Sequence, residues 1–251
     1  MFRGDFFIPS ECLALLAHAP RLTRCEFRSI EDADASLSAT VTPLLLSWLE
    51  DLGLASNPDY EYETSCLSIL QSLNLPRLHT LDLRCYFPFN DASFISFLKR
   101  SPDIQIFIAR SDGPDYEIED GVANSVFTAM RSVTALGLHL DTEELFDQII
   151  LLLPKSPSFL PRIHTLTFSV FLQTWGDTHG DMLVDALAAR WEPPAGVVQL
   201  RDFEFTFPMN RRDYETDDEL DHYGDNVAER LQRLTHKGME LHIGPRKAPW
   251  L

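Results

Sequence analysis

Two nearly identical heptapeptides, LPRLHTL at residues 75–81 and LPRIHTL at residues 160–166, constrain the fold of this chain more than any other feature. Each one opens a stretch whose apolar residues follow the spacing LxxLxxLxL. These residues are Leu75, Leu78, Leu81 and Leu83 in the first copy and Leu160, Ile163, Leu166 and Phe168 in the second. A pattern of apolar residues that recurs along a chain indicates a repeated structural unit, which favours a structural over a catalytic explanation of the duplication.

The same spacing recurs in further segments of the chain. It is complete or partial in residues 19–27, 46–54, 103–109, 130–138, 197–205 and 238–243. The final apolar residues of the eight predicted units are Phe27, Leu54, Leu83, Ala109, Leu138, Phe168, Phe205 and Leu241. Most steps between these residues lie in or just above the range of roughly 20–29 residues that is typical of leucine-rich repeats, and the last two steps indicate insertions.

The segments between the predicted strands have the pattern of helices, because their apolar residues recur at spacings of three and four residues. The predicted helices are Ser93–Arg100, Thr142–Leu153, Asp181–Trp191 and Asp225–Thr235. Residues 8–18 run directly into the first strand pattern and are predicted to form a further helix of the same kind. Strand and helix patterns therefore alternate along the chain.

This alternation predicts the fold. No single unit can bury its apolar edge alone, whereas units stacked in parallel form one continuous core. We therefore expect an α/β fold, a right-handed leucine-rich repeat solenoid of about eight strand–helix units with a parallel sheet on its concave face. The repeat domain is predicted to cover residues 1–244, and residues 245–251 are expected to form a C-terminal tail without a repeat partner.

The charge of the chain limits the classes of partner. The net charge of −17 repels phosphate groups, so nucleic acid and anionic membrane surfaces are not expected as partners, whereas a protein with a basic surface is favoured. The first residues lack the apolar core of a signal peptide, and the longest apolar run is far too short to span a bilayer. The expected location is the cytoplasm or the nucleus.

The motifs of known catalytic and metal sites are missing from the sequence. It contains no GxxxxGK[ST], GxGxxG, GxSxG or HExxH segment, and Cys12, Cys25, Cys66 and Cys85 lack the spacing of a metal or disulfide framework. His79 and His164 occupy the same place in two units, but other strands are predicted between them, so a shared metal ion is not expected. We therefore expect a protein that is not an enzyme and has no catalytic residue, cofactor or metal ion.

The concave face is the predicted binding surface, because residues between the core positions of each strand point away from the core. The candidate partner-binding residues on this face are Arg24, Glu26, Arg28, Asp51, Asp82, Arg84, Arg110, His139, Asp202, Glu204 and Glu240. Arginine recurs in the early strands and acidic residues dominate the late ones, which predicts a mixed-charge N-terminal half and an acidic C-terminal half. Alternatively, these residues are simply solvated, since exposed charge is the default for a protein surface.

Three insertions are a second set of candidates, because loops carry function more often than the scaffold does. Asn57–Ser65, Ser111–Asp120 and Asn210–Asp225 are acidic and rich in tyrosine. Such segments could bind a basic partner or be phosphorylated, and the alternative is that they are merely soluble loops.

Several of the repeat units resemble the leucine-rich half of fungal F-box proteins, especially those of basidiomycetes. The units that carry the resemblance are LLAHAPRLTRCEF, LNLPRLHTLDL, FISFLKRSPDIQIFIA and LAARW. The resemblance implies a substrate receptor of an SCF-type ubiquitin ligase, in which an F-box binds a Skp-type adaptor and the repeats bind the substrate.

One part of the family pattern is missing. Residues 19–27 already have the pattern of a repeat strand, so too few residues precede them for an F-box. The adaptor is therefore expected as a partner only if an F-box precedes Met1. The alternative function is a free-standing leucine-rich repeat scaffold or inhibitor with no connection to a ligase.

Overall fold

A computed structural model describes residues 1–31, 42–56, 65–85, 89, 91–110, 120–140, 143–170, 177–207 and 225–245 of the chain. Within these ranges the strands are β1 (Phe2–Phe7), β2 (Arg24–Ile30), β3 (Leu44–Leu45), β4 (Asp51–Ser56), β5 (Leu73–Asn74), β6 (Thr80–Arg84), β7 (Ile106–Arg110), β8 (Ala135–Leu140), β9 (Thr165–Val170), β10 (Asp202–Phe207) and β11 (Glu240–Pro245). The helices are α1 (Pro9–His18), α2 (Ser65–Gln71), α3 (Ala92–Arg100), α4 (Val122–Ala129), α5 (Glu144–Lys155), α6 (Asp177–Trp191) and α7 (Asp225–His236).

Nine of these strands form one parallel sheet in which the spatial order follows the chain order. The order is β1-β2-β4-β6-β7-β8-β9-β10-β11, and every pair of neighbours is parallel. β3 and β5 form a separate two-stranded parallel sheet. Parallel neighbours need a crossover that returns the chain to the same end of the sheet, and the helices lie in these crossovers. The predicted α/β fold with a large parallel sheet is confirmed, and its order is compatible with stacked repeat units.

The duplicated heptapeptides form part of the core. Leu75, Leu78 and Leu81 of the first copy and Leu160 and Ile163 of the second are fully buried. Along β6 buried and half-buried residues alternate, which is the period expected of a strand with one face against a core. The repeated sequence therefore encodes inward-facing side chains, as its spacing predicts.

The helices form a second layer that covers one face of the sheet. Consecutive helices contact each other from α1 through α7. In α3, Phe94, Phe97 and Leu98 are buried at helical spacing, and the Asp91 carboxylate caps the helix by accepting hydrogen bonds from the backbone N–H groups of Ser93 and Phe94. The opposite face carries no helix among the described residues. We call it the open face.

Two arginines hold the helix layer together by donating hydrogen bonds to backbone carbonyls. Arg190 of α6 is buried and donates to the carbonyl oxygens of Leu153 and Ser156, at the C-terminal end of α5, and of Phe159 and Leu160. Its burial lowers the pKa of the guanidinium to about 10, so the group stays charged at neutral pH. A cation is favourable at a helix C-terminus, where unpaired carbonyls concentrate negative potential.

Arg100 of α3 has the same role three repeat units earlier in the chain. Its guanidinium donates to the carbonyl oxygens of Leu70, Gln71 and Leu73, at the C-terminal end of α2. Arg100 is less enclosed than Arg190, and burial lowers its pKa as well. Both arginines lie in segments that carry the family resemblance, but the sequence did not predict their partners.

The sheet has one strand more than the eight whose spacing the sequence shows, because β1 is added at the N-terminus. Phe2 and Phe7 of this strand are half-buried, and their ring centroids lie 5.6 Å and 5.4 Å from that of Phe27. Phe6 stays 70% exposed and has a φ angle of 61°, opposite Ser29 of β2, whose φ angle is 49°. In the register Gly4 pairs with Phe27 and takes the last core position of the strand, where the pattern requires an apolar side chain, which is why the pattern did not reveal the strand.

The last predicted unit is out of register. Phe205 pairs with Ile243, so the final apolar position of the unit is Ile243 and not Leu241, which pairs with Phe203 instead. The five predicted helices, including the one at residues 8–18, correspond to α1, α3, α5, α6 and α7, whereas α2 and α4 were not predicted. β11 ends at Pro245, and the remainder of the predicted tail lies outside the described residues. No helix within the described ranges is long and apolar enough to cross a membrane.

Candidate protein-interaction face

The strand register arranges the outward side chains of the open face in three rows that cross the sheet. The first row contains Arg24, Asp51, Thr80, Ile106, Ala135, Thr165, Asp202 and Glu240. The second contains Arg3, Glu26, Gly53, Asp82, Ile108, Gly137, Thr167, Glu204 and His242. The third contains Ala55, Arg84, Arg110, His139, Ser169, Thr206 and Gly244. Neighbours within a row are about 4.8 Å apart, so they can interact directly.

At the N-terminal end of the open face the charges neutralise one another. We call Arg3, Arg24, Glu26, Arg28, Asp51, Asp82 and Arg84 the N-terminal cluster. Its ion pairs are Arg24–Asp51 at 2.7 Å, Arg28–Glu26 at 2.7 Å, Arg84–Asp82 at 2.7 Å and Arg3–Glu26 at 3.4 Å. Every carboxylate of this cluster thus has an arginine partner, and a hydrogen bond from the Arg84 guanidinium to Asp82 raises the pKa of Arg84.

The middle of the open face is lined by apolar residues, two of which are as small as alanine and glycine. Ile106 is 39% exposed, and Ile108, Ala135 and Gly137 beside it are half-buried. A Cβ atom added at Gly137 would meet only the Ile108 side chain, at 3.6 Å, which is an ordinary van der Waals contact. The face therefore has an apolar middle between two charged ends.

At the C-terminal end, side chains of β9, β10 and β11 line a groove with a volume of about 310 Å³. We define the C-terminal groove by its polar lining residues Thr165, Thr167, Asp202, Glu204, Glu240 and His242. Asp202 Oδ2 accepts a hydrogen bond of 3.0 Å from the Thr165 hydroxyl. Within the described part of the chain, the carboxylates of Asp202, Glu204 and Glu240 form no ion pair.

Further along β9 and β10 the outward side chains of the third row are buried. Ser169 and Thr206, which point away from the core, are buried, and the Thr206 hydroxyl donates a hydrogen bond to the Phe168 carbonyl oxygen. In the groove, His242 Nε2 is inaccessible to solvent and has no hydrogen-bond partner among the described residues. Access at this end is therefore through the first two rows.

All of the candidate residues lie on the open face, but the structure divides them into separate groups. The register brings Arg24, Glu26, Arg28, Asp51, Asp82 and Arg84 together in the N-terminal cluster, and Asp202, Glu204 and Glu240 together in the C-terminal groove. Arg110 and His139 are register partners in the third row, between these groups. The two charged ends lie on opposite sides of the apolar middle, so one small ligand cannot contact both.

Some residues of the face were missed by sequence reasoning. Arg3 was missed because β1 was missed, and the contribution of His242 to the groove depends on its pairing with Glu204, which the sequence does not reveal. The three acidic insertions, apart from Ser65, Asp120 and Asp225, lie outside the described residues.

The thiols lie beneath the sheet and not on the open face. Burial raises the pKa of Cys12 to about 12 and that of Cys25 to about 12, so both are protonated and weakly nucleophilic at neutral pH. The described residues include no group of three or more His, Cys, Asp or Glu side chains that could hold a metal ion.

Comparison of the chain with protein-family models and with curated proteins found no match. Its function must therefore be inferred from the geometry and charges of the open face.

Proposed function

We propose that this chain is a right-handed leucine-rich repeat solenoid whose open, concave face recognises another protein. The observation that supports this function is the open face itself, where nine parallel strands in chain order present side chains in register opposite the helix layer. Such a face is a rigid, extended surface, which is how repeat proteins bind their partners.

The composition and size of the open face are suited to a protein partner. Its apolar middle, centred on Ile106 and Ile108, lies between charged ends, and protein interfaces have an apolar centre with a polar rim. Nine strands spaced about 4.8 Å apart, each roughly 17–20 Å long, span on the order of 700 Å². A standard interface buries about 800 Å² on each partner, so the area of the face is close to that of one such interface.

The specific role that the family resemblance favours is substrate recognition for an SCF-type ubiquitin ligase. The alternative is a free-standing scaffold or inhibitor that uses the same face without a ligase. Both are non-enzymatic binding functions of an intracellular protein, and they differ in whether a Skp-type adaptor accompanies the chain.

The experiment that tests the binding function blocks the middle of the open face. Gly137→Arg places a long side chain in the second row, and the space around Gly137 admits a Cβ atom without displacement of the backbone. Ala188→Arg adds the same side chain at an exposed position of α6 and is the matched control. Proteins that copurify with the tagged full chain are quantified by mass spectrometry for the wild type and both variants, and circular dichroism verifies the fold.

We expect partners that are retained by Ala188→Arg and depleted at least about tenfold by Gly137→Arg. A set of partners that is the same for all three proteins would overturn recognition through the open face. The two roles are separated by repeating the purification with the chain extended by the coding sequence upstream of Met1, because the adaptor is expected only if an F-box precedes Met1. Recovery of a Skp-type adaptor with the extended wild type and with both extended variants supports the ligase role, and recovery of face-dependent partners without the adaptor supports the free-standing scaffold.

A further inference from the structure

The nine-stranded sheet has an unpaired edge at its N-terminal end, which is formed by β1. This strand pairs with β2 on one side, and none of the described strands pairs with its other side. We call that other side the free edge. The backbone N–H and C=O groups along an unpaired edge are a template for pairing with the strand of another chain.

The usual protection of an edge strand is missing from β1. Natural edge strands are commonly guarded by lysine, by proline or by a charged side chain that points inward. The sequence of β1, FRGDFF, has neither lysine nor proline, and its two charged residues, Arg3 and Asp5, are exposed. Phe6 is 70% exposed as well, so the strand also presents an apolar side chain that the described part of the chain leaves uncovered.

Arg3 and Asp5 give the free edge a distinct charge pattern. They carry opposite charges on either side of Gly4, and residues two apart in a strand point to the same face. The Nε atom of Arg3 lies 3.4 Å from a Glu26 carboxylate oxygen, which leaves the other guanidinium nitrogens for a second carboxylate. Asp5 forms no ion pair within the ranges that the structure describes. The strand therefore has a carboxylate without a counter-charge and an arginine that can bind one more.

This pattern is complementary to itself. If two copies of β1 pair antiparallel with Gly4 opposite Gly4, each Arg3 lies directly opposite the Asp5 of the other copy. Residues directly opposite in an antiparallel pair have Cβ atoms about 4.5–5.5 Å apart, so two ion pairs can form. The pairing needs only the regular part of the strand, because the left-handed backbone conformation, with a φ angle of 61° at Phe6, lies beyond Asp5.

Other arrangements lack this complementarity. An antiparallel register shifted by two residues places Arg3 opposite Arg3 or Asp5 opposite Asp5, and a parallel pair in register also brings like charges together, so these arrangements are repulsive. β11, at the other edge of the sheet, offers no equivalent, because Glu240 is its only residue among aspartate, glutamate, lysine and arginine. The charges therefore favour one partner, a second copy of β1, and one register.

We propose that this chain forms a symmetric dimer in which β1 pairs antiparallel with β1 of a second copy, with Gly4 at the two-fold axis. Both copies then contribute the same surface to the contact, as in other two-fold dimers. The axis is perpendicular to the sheet, so both open faces lie on the same side of the dimer. The inference goes beyond the proposed function, because it concerns the edge of the sheet and holds whether or not the open face binds a partner.

The test measures the mass of the full chain by sedimentation equilibrium at about 50 mM salt, where exposed charges are weakly screened. A strand of six residues is roughly 20 Å long, so the contact is smaller than a standard interface and the dimer is expected to be weak. The chain is therefore measured from about 1 to 200 μM, and we expect a monomer at the lower end of this range and a dimer at the upper end.

Charge reversals at the free edge are the decisive variants. Arg3→Asp gives the edge two carboxylates and Asp5→Arg gives it two guanidinium groups, so each variant repels its own copy. When the two variants are mixed in equal amounts, they are complementary at both positions and are expected to form a heterodimer. The double variant, Arg3→Asp with Asp5→Arg, is again complementary to itself.

Two control variants make the same changes of charge at exposed turn positions away from the edge. They are Arg131→Asp and Asp103→Arg, and we expect them, alone or mixed, to dimerise like the wild type. Each single edge variant is expected to dimerise at least about tenfold more weakly than the wild type, because like charges then face each other. The mixture of edge variants and the double variant are expected to dimerise within about threefold of the wild type.

Three results would overturn the proposal. A wild type that stays monomeric at every concentration would leave the free edge to a strand of a different protein. Equal weakening by the edge and control variants would mean that association follows net charge only. A mixture of edge variants that stays monomeric would contradict the register. Circular dichroism verifies each fold, and Asp5→Arg, which breaks no ion pair among the described residues, keeps the test decisive if Arg3→Asp fails to fold.

Discussion

The N-terminal cluster and the C-terminal groove are built on the same scaffold and differ in how their charges are arranged. Arg24 and Asp51 are neighbours in the first row at one end, and Asp202 and Glu240 are neighbours in that row at the other. The first pair forms an ion pair of 2.7 Å, whereas the second joins two carboxylates. The charge that a face can offer to a partner therefore depends on which residues the register makes neighbours, and not on the number of charged residues in each strand.

The cores beneath the two ends are alike, so the scaffold does not cause this difference. Under the N-terminal end, Phe2 and Phe7 pack on Phe27, with centroid separations of 5.6 Å and 5.4 Å. Under the C-terminal end, the rings of Phe146 and Phe168 meet edge to face at 5.0 Å. Both ends therefore rest on aromatic packing, and both are expected to be comparably stable.

The largest expected effect tests that equivalence of the two cores. Phe27→Ala and Phe168→Ala each remove a fully buried ring, so each is expected to lower the free energy of unfolding by about 3–5 kcal/mol. Phe6→Ala, at an exposed position, is the control and is expected to change it by less than about 0.5 kcal/mol. Urea unfolding followed by circular dichroism measures all three. A Phe27→Ala variant that unfolds like the wild type would show that the N-terminal end contributes little to the common core.

The second-largest effect is expected for the two arginines that donate hydrogen bonds to backbone carbonyls at the C-terminal ends of helices. Arg190→Met leaves four carbonyl oxygens without their donor in a buried site and is expected to cost about 2–3 kcal/mol of unfolding free energy. Arg100→Met is expected to cost about 1 kcal/mol, because water can replace its donor at a half-exposed site. Urea midpoints of both variants measure the difference, and equal midpoints would show that burial does not set the strength of this contact.

Arg190→Lys is the control for charge. Lysine keeps the positive charge near the end of α5 but has one compact donor group in place of a planar fork. It is expected to recover less than half of the loss, because an ammonium has three N–H donors and leaves at least one of the four carbonyl oxygens without a partner. Full recovery would mean that the charge alone, acting at the helix terminus, accounts for the stabilisation.

The strands and their inward residues could be predicted from the sequence, because a strand with one buried face has an apolar residue at every second position. A shift of the strand register by one residue would expose all of these apolar side chains. The open face followed from the same argument, since each residue between two core positions must point outward. β1 was missed because Gly4 takes the core position that pairs with Phe27, and α2 and α4 were missed because neither has an acidic residue in its first turn or a basic residue in its last turn.

The pairing of charges could not be predicted to the same degree. Arg24 and Asp202 were both assigned to the face, but whether each has a counter-charge depends on the residue beside it on the next strand. That neighbour follows from the register, which the insertions between the late strands obscure, as the displacement of the last unit from Leu241 to Ile243 shows. The partners of Arg190 are likewise set by tertiary packing, although a basic residue in the last turn of a helix was visible in the sequence.

The smallest expected effect is a change in the free energy of unfolding that has opposite signs at the two ends of the open face. Glu26→Gln removes the partner of Arg3 and Arg28 and is expected to lower the free energy of unfolding by up to about 1 kcal/mol. Glu204→Gln removes a carboxylate beside other carboxylates and is expected to raise the free energy of unfolding by about 0.5 kcal/mol, since like charges repel at this spacing. Urea unfolding at low salt measures both changes.

High salt is the control for this last comparison, because screening weakens attraction and repulsion alike. In about 1 M salt, where the Debye length falls to roughly 3 Å, both differences from the wild type are expected to shrink towards zero. A Glu204→Gln variant that is less stable than the wild type at low salt would mean that Glu204 already has a favourable partner. The charge of the groove would then be in use within the chain itself, and the contrast between the two ends of the face would disappear.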